Sequence, residues 1–155
     1  MNPITVGCVP YANAIPLVAY FELMGADSPV HVVYDVPSKL PALLETGQAS
    51  AILVSSVDAL RVPNRRLAKG VCIGSDGRVD SVRLFSKVPF DQIRQLALDA
   101  SSMTSNRLAQ IVLREQFGVV PTCAHRPPDV HAMLAEFDAC VLIGDIGMRT
   151  SGEGL

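Results

Sequence analysis

Apolar and polar positions alternate in blocks along this chain, and the blocks predict strands that are followed by helices. Short apolar runs bounded by Pro, Gly or polar residues predict buried strands at residues 4–9, 31–34, 49–54, 67–74, 96–98 and 138–144. Apolar residues at helical spacing predict helices at residues 17–23, 40–45, 56–60, 102–117 and 130–137. An alternating stretch at 78–86 predicts one more strand after a tight turn. Strand, helix and strand in this order favour an α/β fold with a parallel sheet.

Two further segments define the predicted domain organisation. The stretch at residues 87–93 has the composition of a linker, so we predict lobe 1 at residues 1–87 and lobe 2 at residues 88–148. Residues 149–155 predict an irregular C-terminal tail. The Pro-rich stretch at residues 121–128 predicts a loop.

Hydroxyl side chains collect where the strand at 96–98 gives way to a helix; they are Ser101, Ser102, Thr104 and Ser105. A helix N-terminus has unpaired backbone N–H groups and a partial positive charge, and neutral hydroxyls there add donors without adding charge. One hydroxyl would be explained as an N-cap, but four within five positions exceed what capping requires. We therefore predict a site for a small carboxylate or phosphate. The same motif recurs at Ser55 and Ser56 after the strand at 49–54.

Three other polar residues stand out by their positions. Asn13 lies in a loop stiffened by prolines on both sides, and its spacing alone predicts a turn residue. Ser81 lies among strand residues and, on the pattern alone, is expected to be a satisfied core hydroxyl. Asp145 follows a glycine at a strand end, where it could face a ligand, act at a hinge or partner a cap.

Composition narrows the class of function. The 155 residues are 49% hydrophobic and 18% charged with a net charge of −2, so we expect a buried core and no nucleic-acid partner. No apolar run is long enough to span a bilayer, and the N-terminus does not resemble a signal peptide. The four cysteines form no CxxC pair and lie mostly in apolar runs. We therefore expect a cytoplasmic protein with reduced thiols, without a bound metal and without a membrane partner.

Motifs for zinc, nucleotide or serine-hydrolase chemistry are missing from the sequence: HExxH, GxxxxGK[ST], GxGxxG and GxSxG do not occur. None of the three histidines, His31, His125 and His131, has the neighbours of a catalytic dyad. A site built from hydroxyls, one amide and backbone donors binds and orients a ligand well but is poor at general acid–base work. We expect no cofactor.

Five segments of the chain, taken in order, match one known family. They are Val9-Pro-Tyr-Ala-Asn-Ala-Ile-Pro16, Val54-Ser-Ser-Val57, Gly74-Ser-Asp-Gly-Arg-Val-Asp-Ser-Val-Arg-Leu-Phe-Ser86, Leu98-Asp-Ala-Ser-Ser-Met-Thr-Ser105 and Asp138-Ala-Cys-Val-Leu-Ile-Gly-Asp145. Together they resemble the chorismate dehydratases of the futalosine route to menaquinone, and the resemblance runs over nearly the whole chain. It implies a fold like the type II periplasmic binding proteins, with two α/β lobes and a cleft between them. It also implies a carbon–oxygen lyase that converts the dicarboxylate chorismate to 3-[(1-carboxyvinyl)oxy]benzoate and water.

The resemblance also assigns roles by position. Asn13 matches the active-site asparagine of the family, and Ser81 best matches its active-site serine, with Ser75 of the same segment as the alternative. Asp145 lies at the matching strand end. The residues expected to hold the substrate carboxylates are Ser55, Ser56, Ser102, Thr104 and Ser105, together with the adjacent Ser101.

Two features depart from the family pattern. Met103 stands where the family usually has an arginine between the hydroxyls, which removes a possible charge contact with the substrate. The chain also ends at Leu155, whereas family members continue and return to complete the first lobe. We therefore expect lobe 1 to be incomplete and to expose apolar surface, and we expect a homo-oligomer that covers it.

Two alternatives remain at this point. Dihydroxynaphthoate synthase, the sibling enzyme of the same pathway, shares the fold, but we would expect a histidine base in its cleft. A non-catalytic cytoplasmic module that binds an aromatic or dicarboxylic acid would use the same hydroxyl sites without any chemistry.

Overall fold

The chain divides into two compact α/β units, which confirms the predicted class. The computed structural model describes residues 3–152; unit 1 ends at Asp76 and unit 2 begins at Gly77. The boundary lies earlier than the one predicted at Lys87. The reason is that the strand at Val82–Ser86, which the sequence placed in lobe 1, pairs with the strand at Ala139–Ile143.

Unit 1 is a three-stranded parallel sheet with short helices. Its strands are β1 (Ile4–Cys8), β2 (Val30–Tyr34) and β3 (Ala51–Ile52), in the spatial order β2-β1-β3. Its helices are α1 (Ile15–Met24), α2 (Leu40–Glu45) and α3 (Ser56–Arg61), with 3-10 turns at Ala12–Ala14 and Gly25–Asp27. Both strand pairs are parallel, as the order of elements predicts.

The core of unit 1 packs the helices onto β1. Its buried members are Cys8, Val9, Ala14, Val18 and Leu40. Gly7 permits a close approach, because a Cβ at that position would lie 2.9 Å from the Ile52 Cγ2 atom and 3.1 Å from the Leu40 Cδ2 atom. The side chains of β3 and α2 therefore pack directly against the β1 backbone.

Unit 2 is a four-stranded mixed sheet with a larger core. Its strands are β4 (Val82–Ser86), β5 (Gln95–Asp99), β6 (Thr122–Arg126) and β7 (Ala139–Ile143), in the order β4-β7-β5-β6. Strand β4 is antiparallel to β7, while β5 is parallel to both of its neighbours. The helices are α4 (Thr104–Phe117), α5 (Val130–Glu136) and α6 (Gly144–Arg149), with a 3-10 turn at Phe90–Gln92.

Both faces of the unit 2 sheet are buried. Ala97 of β5 and Cys140 of β7 pack with Met133 of α5 in one cluster. Leu96 of β5 and Leu113 of α4 belong to the other cluster. Because successive strand residues point to opposite faces, these two clusters lie on opposite sides of the sheet. This double burial matches the nearly continuous apolar runs from which β5 and β7 were predicted.

Two predicted elements are wrong. The apolar run at residues 67–74 forms no strand; residues 66–80 are exposed, and none of them pairs with a described strand. The predicted loop at residues 121–128 instead contains β6, which pairs with β5 in parallel register. Its prolines lie just outside the strand, so no strand N–H group is lost.

The predicted C-terminal tail at residues 149–155 is described only in part. Helix α6 ends at Arg149, and the Thr150 N–H donates to the Ile146 carbonyl at 3.0 Å. Arg83 Nη1 donates to the Thr150 carbonyl at 3.2 Å, which ties this residue to β4. The last part of the predicted tail, residues 153–155, lies outside the described residues. Within residues 3–152, no helix combines the length and apolar character needed to cross a membrane.

Candidate functional site

The predicted site residues of unit 2 gather at one edge of its sheet, namely the edge formed by the carboxyl ends of β5 and β7. Val82, the first residue of β4, pairs with Ile143, the last residue of β7. Helix α6 begins directly after β7, and the hydroxyl-rich turn follows β5, the parallel neighbour of β7. This edge, where ligands bind in open α/β sheets, carries Ser81, Ser101, Ser102, Thr104, Ser105 and Asp145.

Glycine at position 147 holds α6 against the turn that carries Ser81. A Cβ at Gly147 would lie 2.9 Å from the Ser81 carbonyl oxygen and 3.0 Å from the Leu142 carbonyl oxygen. Both atoms belong to the backbone and cannot rotate away. Ser81 and Asp145 therefore lie on neighbouring segments, and Ser81 is half-buried in a turn rather than in the core.

Asp99 organises the hydroxyl-rich turn, although sequence reasoning assigned it only to the end of a strand. Its side chain is fully buried. The Oδ1 atom accepts hydrogen bonds from the backbone N–H of Ser101 at 2.8 Å and from the Ser101 hydroxyl at 2.5 Å. The Oδ2 atom accepts from the backbone N–H of Ile143 at 3.1 Å. The available signal was the spacing from Asp99 to Ser101, which is typical of a side-chain turn.

Asn106 supports the same turn from the first turn of α4, and sequence reasoning missed it as well. Its Nδ2 atom donates to the Asp99 carbonyl at 2.8 Å and to the Ser102 carbonyl at 3.0 Å. Two carbonyl partners fix the orientation of the amide, because its oxygen could not replace the nitrogen there. Asn106 is 3% exposed, and its Oδ1 atom has no hydrogen-bond partner among residues 3–152.

The four predicted hydroxyls therefore differ in their positions. Ser101 donates its hydroxyl proton to Asp99, and Ser102 is buried. Thr104 and Ser105 are half-buried in the first two positions of α4. The N-cap residue of this helix is Met103, and it makes no side-chain cap hydrogen bond. None of the four hydroxyl residues thus occupies the N-cap position, and their binding role stays a prediction.

The candidates of unit 1 also follow strand ends, but their setting is shallower. Asn13 is exposed in the 3-10 turn after β1, and Ser55 follows β3. The Leu53 N–H donates to the Gly7 carbonyl at 2.7 Å, so the carboxyl ends of β1 and β3 lie side by side. The Ser55 hydroxyl accepts from the Val57 N–H at 3.2 Å and caps α3. Ser56 is exposed as the first residue of α3.

Ser75, the alternative active-site serine, lies in the exposed irregular segment at residues 66–80. It does not follow a strand, because the strand predicted before it is not formed. Ser81, by contrast, immediately precedes β4. The structure thus places Ser81, and not Ser75, beside a sheet edge that carries other candidates.

Titratable groups add little acid–base chemistry to these edges. Burial, with a smaller effect from Asp99, raises the pKa of the Cys140 thiol to about 11, and burial also raises the pKa of Cys8. Both thiols are therefore protonated at neutral pH and are poor nucleophiles. The three histidines lie in β2, β6 and α5, outside the turns described above. Within residues 3–152, no three His, Cys, Asp or Glu side chains are grouped to hold a metal ion.

Comparison with known proteins adds a family and a fold. Residues 4–155 match a protein family described as Menaquinone biosynthesis. A Thermus thermophilus protein named Chorismate dehydratase is 33% identical over 150 residues, which cover 96% of this chain and 53% of that protein. The chain thus spans about half the length of this curated relative.

A solved structure from an archaeon agrees with the predicted fold class. A crystal structure of an Archaeoglobus fulgidus protein superposes with a TM-score of 0.66 at 20% identity, covering 92% of this chain and 54% of that one. This likeness confirms the α/β fold. An OxyR variant from Corynebacterium glutamicum superposes with a TM-score of 0.43 at 17% identity, over 92% of this chain and 48% of that one.

Proposed function

The chain belongs to the menaquinone-biosynthesis family, and on that basis we propose that it is a chorismate dehydratase, a carbon–oxygen lyase. The observation that carries the proposal is the 33% identity, over 96% of this chain, to the Thermus thermophilus protein of that name. The strand-end turns support it, because they offer hydroxyl, amide and backbone donors to carboxylates without a strong protein base.

The proposed substrate carries two carboxylates, and donors suited to a carboxylate occur within each unit taken by itself. In unit 2 the donors are Thr104, Ser105 and the first backbone N–H groups of the fourteen-residue α4, whose aligned peptide dipoles favour an anion. In unit 1 they are Ser55 and Ser56. Helix α3 has only six residues, so its dipole contributes less there than α4 does in unit 2.

The proposed reaction removes water across two neighbouring ring carbons. The C–H bond at the carbon bearing the enolpyruvyl ether breaks, and its electron pair forms the new ring double bond as the hydroxyl on the next carbon leaves. The ring becomes aromatic, so the reaction is strongly downhill. The enolpyruvyl carboxylate of the substrate takes the proton and passes it to the departing hydroxyl, which leaves as water. Asn13 and Ser81 orient the reacting groups. Holding reacting groups in place supplies on the order of 7–11 kcal/mol in the best cases.

Incubation of the purified chain with chorismate tests the proposal. The expected product, 3-[(1-carboxyvinyl)oxy]benzoate, is detected by chromatography with mass spectrometry. Asn13→Ala and Ser81→Ala should each lower kcat by about 100-fold, a typical cost of losing one well-placed hydrogen-bond donor. Ser50→Ala, an exposed serine away from both strand-end edges, serves as the control.

The outcomes separate the possible functions. If both variants turn over chorismate like the parent chain, the residue assignment is wrong. If chorismate binds but no product forms, the chain is a solute-binding module. The sibling enzyme would instead need a histidine base at the site, and the three histidines lie in β2, β6 and α5.

The proposal extends to location and assembly. We place the protein in the cytoplasm, where its four free cysteines would stay reduced, and cell fractionation checks this. Leu23 and Leu60 of unit 1 are 87% and 85% exposed, and the proposal includes a second copy of the chain that covers such apolar surface. Light scattering should then report a dimer or a larger assembly, and a stable monomer would contradict this part.

A further inference from the structure

We propose that Asp99 is a positioning residue for the unit 2 binding turn, an inference that rests on the proposed function. Its carboxylate ties residues 100–105 to the end of β7 and so sets where the donors of that turn meet a substrate carboxylate. Asp99 does not itself touch substrate, because its side chain is fully buried.

The contacts of Asp99 join two segments that are distant in sequence. One carboxylate oxygen accepts both Ser101 hydrogen bonds, and the other accepts the Ile143 N–H at 3.1 Å. Ile143 is the last residue of β7, and α6, which carries Asp145, begins at the next residue. One side chain therefore holds both the hydroxyl-rich turn and the start of α6.

The carbonyl acceptors next to Asp99 are occupied within the turn. The Asp99 carbonyl accepts from the Ser102 N–H at 3.0 Å and from Asn106 Nδ2 at 2.8 Å. The Ser102 carbonyl accepts from the same Nδ2 atom at 3.0 Å. An incoming carboxylate therefore does not meet these oxygens as unpaired acceptors. Asp99 and Asn106 therefore shape the turn so that its carbonyl oxygens are hydrogen-bonded within it. The N-terminus of α4, which favours an anion, lies next to the turn.

Asp99→Asn has opposite expected effects on carboxylate binding, depending on whether the charge of Asp99 or its positioning of the turn dominates. Removing a negative charge close to an anion site should tighten the binding of a carboxylate if charge dominates. The asparagine amide, however, would point an N–H group at a backbone N–H of Ser101 or Ile143, and two donors cannot bond each other. If positioning dominates, the turn should therefore be displaced and the carboxylate should bind more weakly.

The decisive experiment compares Asp99→Asn with Asp138→Asn. Asp138 Oδ2 also accepts from two backbone N–H groups, those of Arg94 and Gln95, each at 2.9 Å, but at the opposite end of β5. Asp99→Asn should raise the KM for chorismate by about 10- to 100-fold with a smaller change in kcat, because losing well-placed hydrogen bonds to a charged carboxylate weakens its binding by about this factor. Asp138→Asn should leave both constants within twofold.

A binding measurement separates this proposal from the proposed function. Chorismate is titrated into labelled protein while the amide NMR signals of residues 101–105 are followed. Shifts in the parent chain that are lost in Asp99→Asn support positioning even if no product forms, in which case only the dehydratase proposal fails. Equal KM and equal shifts in the two proteins, or tighter binding by the variant, overturn it. So does the absence of any shift or turnover in the parent chain.

Should Asp99→Asn not fold, Ser101→Ala takes its place. It removes one hydroxyl donor to the Asp99 Oδ1 atom and leaves the backbone hydrogen bonds of Ser101 and Ile143 in place. Positioning predicts a rise in KM of about threefold to tenfold together with a shifted Ile143 amide signal. A change in KM without any change at the Ile143 amide would mean that Ser101 acts on substrate directly, and would overturn the proposal.

Discussion

The strand-end turns of the two units share a sequence pattern but are built differently. In unit 1 the pattern follows β3, which has two residues, and precedes α3, which has six. In unit 2 it follows the five-residue β5 and precedes the fourteen-residue α4. Ser55 makes a capping hydrogen bond in unit 1, whereas Asp99 and Asn106 form a buried hydrogen-bonded turn in unit 2.

This difference shows that one motif can have two physical roles. The hydrogen bond from the Val57 N–H to the half-buried Ser55 hydroxyl caps a short helix. A buried carboxylate and a buried amide must be hydrogen-bonded, since an unpaired polar group in a core is costly. The hydrogen bonds that Asp99 and the Asn106 Nδ2 atom make fix the backbone of the turn, so the unit 2 turn is the more rigidly built of the two.

The largest expected effect comes from removing the buried amide. Asn106→Ala leaves the Ser102 carbonyl without this donor and opens a small cavity, so the free energy of unfolding should fall by about 2–3 kcal/mol. Urea denaturation measures it. Gln110→Ala is the control on the same helix, because its Nε2 donates to the Asn106 carbonyl from a less buried position, and it should cost less than about 1 kcal/mol. Equal losses from both variants would contradict the distinction between the turns.

A smaller effect is expected from the cap of unit 1. Ser55→Ala removes the hydrogen bond from the Val57 N–H and should lower the free energy of unfolding by about 1 kcal/mol. Ser56→Ala changes the exposed next residue and should lie within about 0.5 kcal/mol of the parent chain. If Ser55→Ala lowers the free energy of unfolding as much as Asn106→Ala does, the two turns contribute equally to stability and the distinction between them is wrong.

The smallest effect concerns acid sensitivity at the other end of β5. Hydrogen bonds from the backbone N–H groups of Arg94 and Gln95 hold the pKa of Asp138 below its ordinary value. A depressed folded-state pKa stabilises the fold above the unfolded pKa, near 4, and this stabilisation is lost as the pH falls through the folded value. We expect about 0.5–1 kcal/mol, because solvent screens an exposed carboxylate. Thermal melts at pH 7 and pH 3 should show a smaller acid loss in Asp138→Asn; an unchanged difference would contradict this.

Local patterns predicted most of the elements and the location of both hydroxyl turns. Periodicity depends on residues close in sequence, and this is why β5, α4, α5 and β7 appear near their predicted bounds. Helix N-termini after strands are recognisable for the same reason, as at Ser55 and Thr104, although β3 is not buried as predicted.

Tertiary contacts alone decided the rest. The apolar run at 67–74 has the composition of a strand but pairs with no described strand. Strand β6, in contrast, forms between prolines because it pairs with β5. Strand β4 joined unit 2 through its pairing with β7. Asp99 gained its role from Ile143, 44 residues further along the chain. Pairing and burial join residues that are distant in sequence, so they follow from the packed sheet rather than from the spacing of side chains.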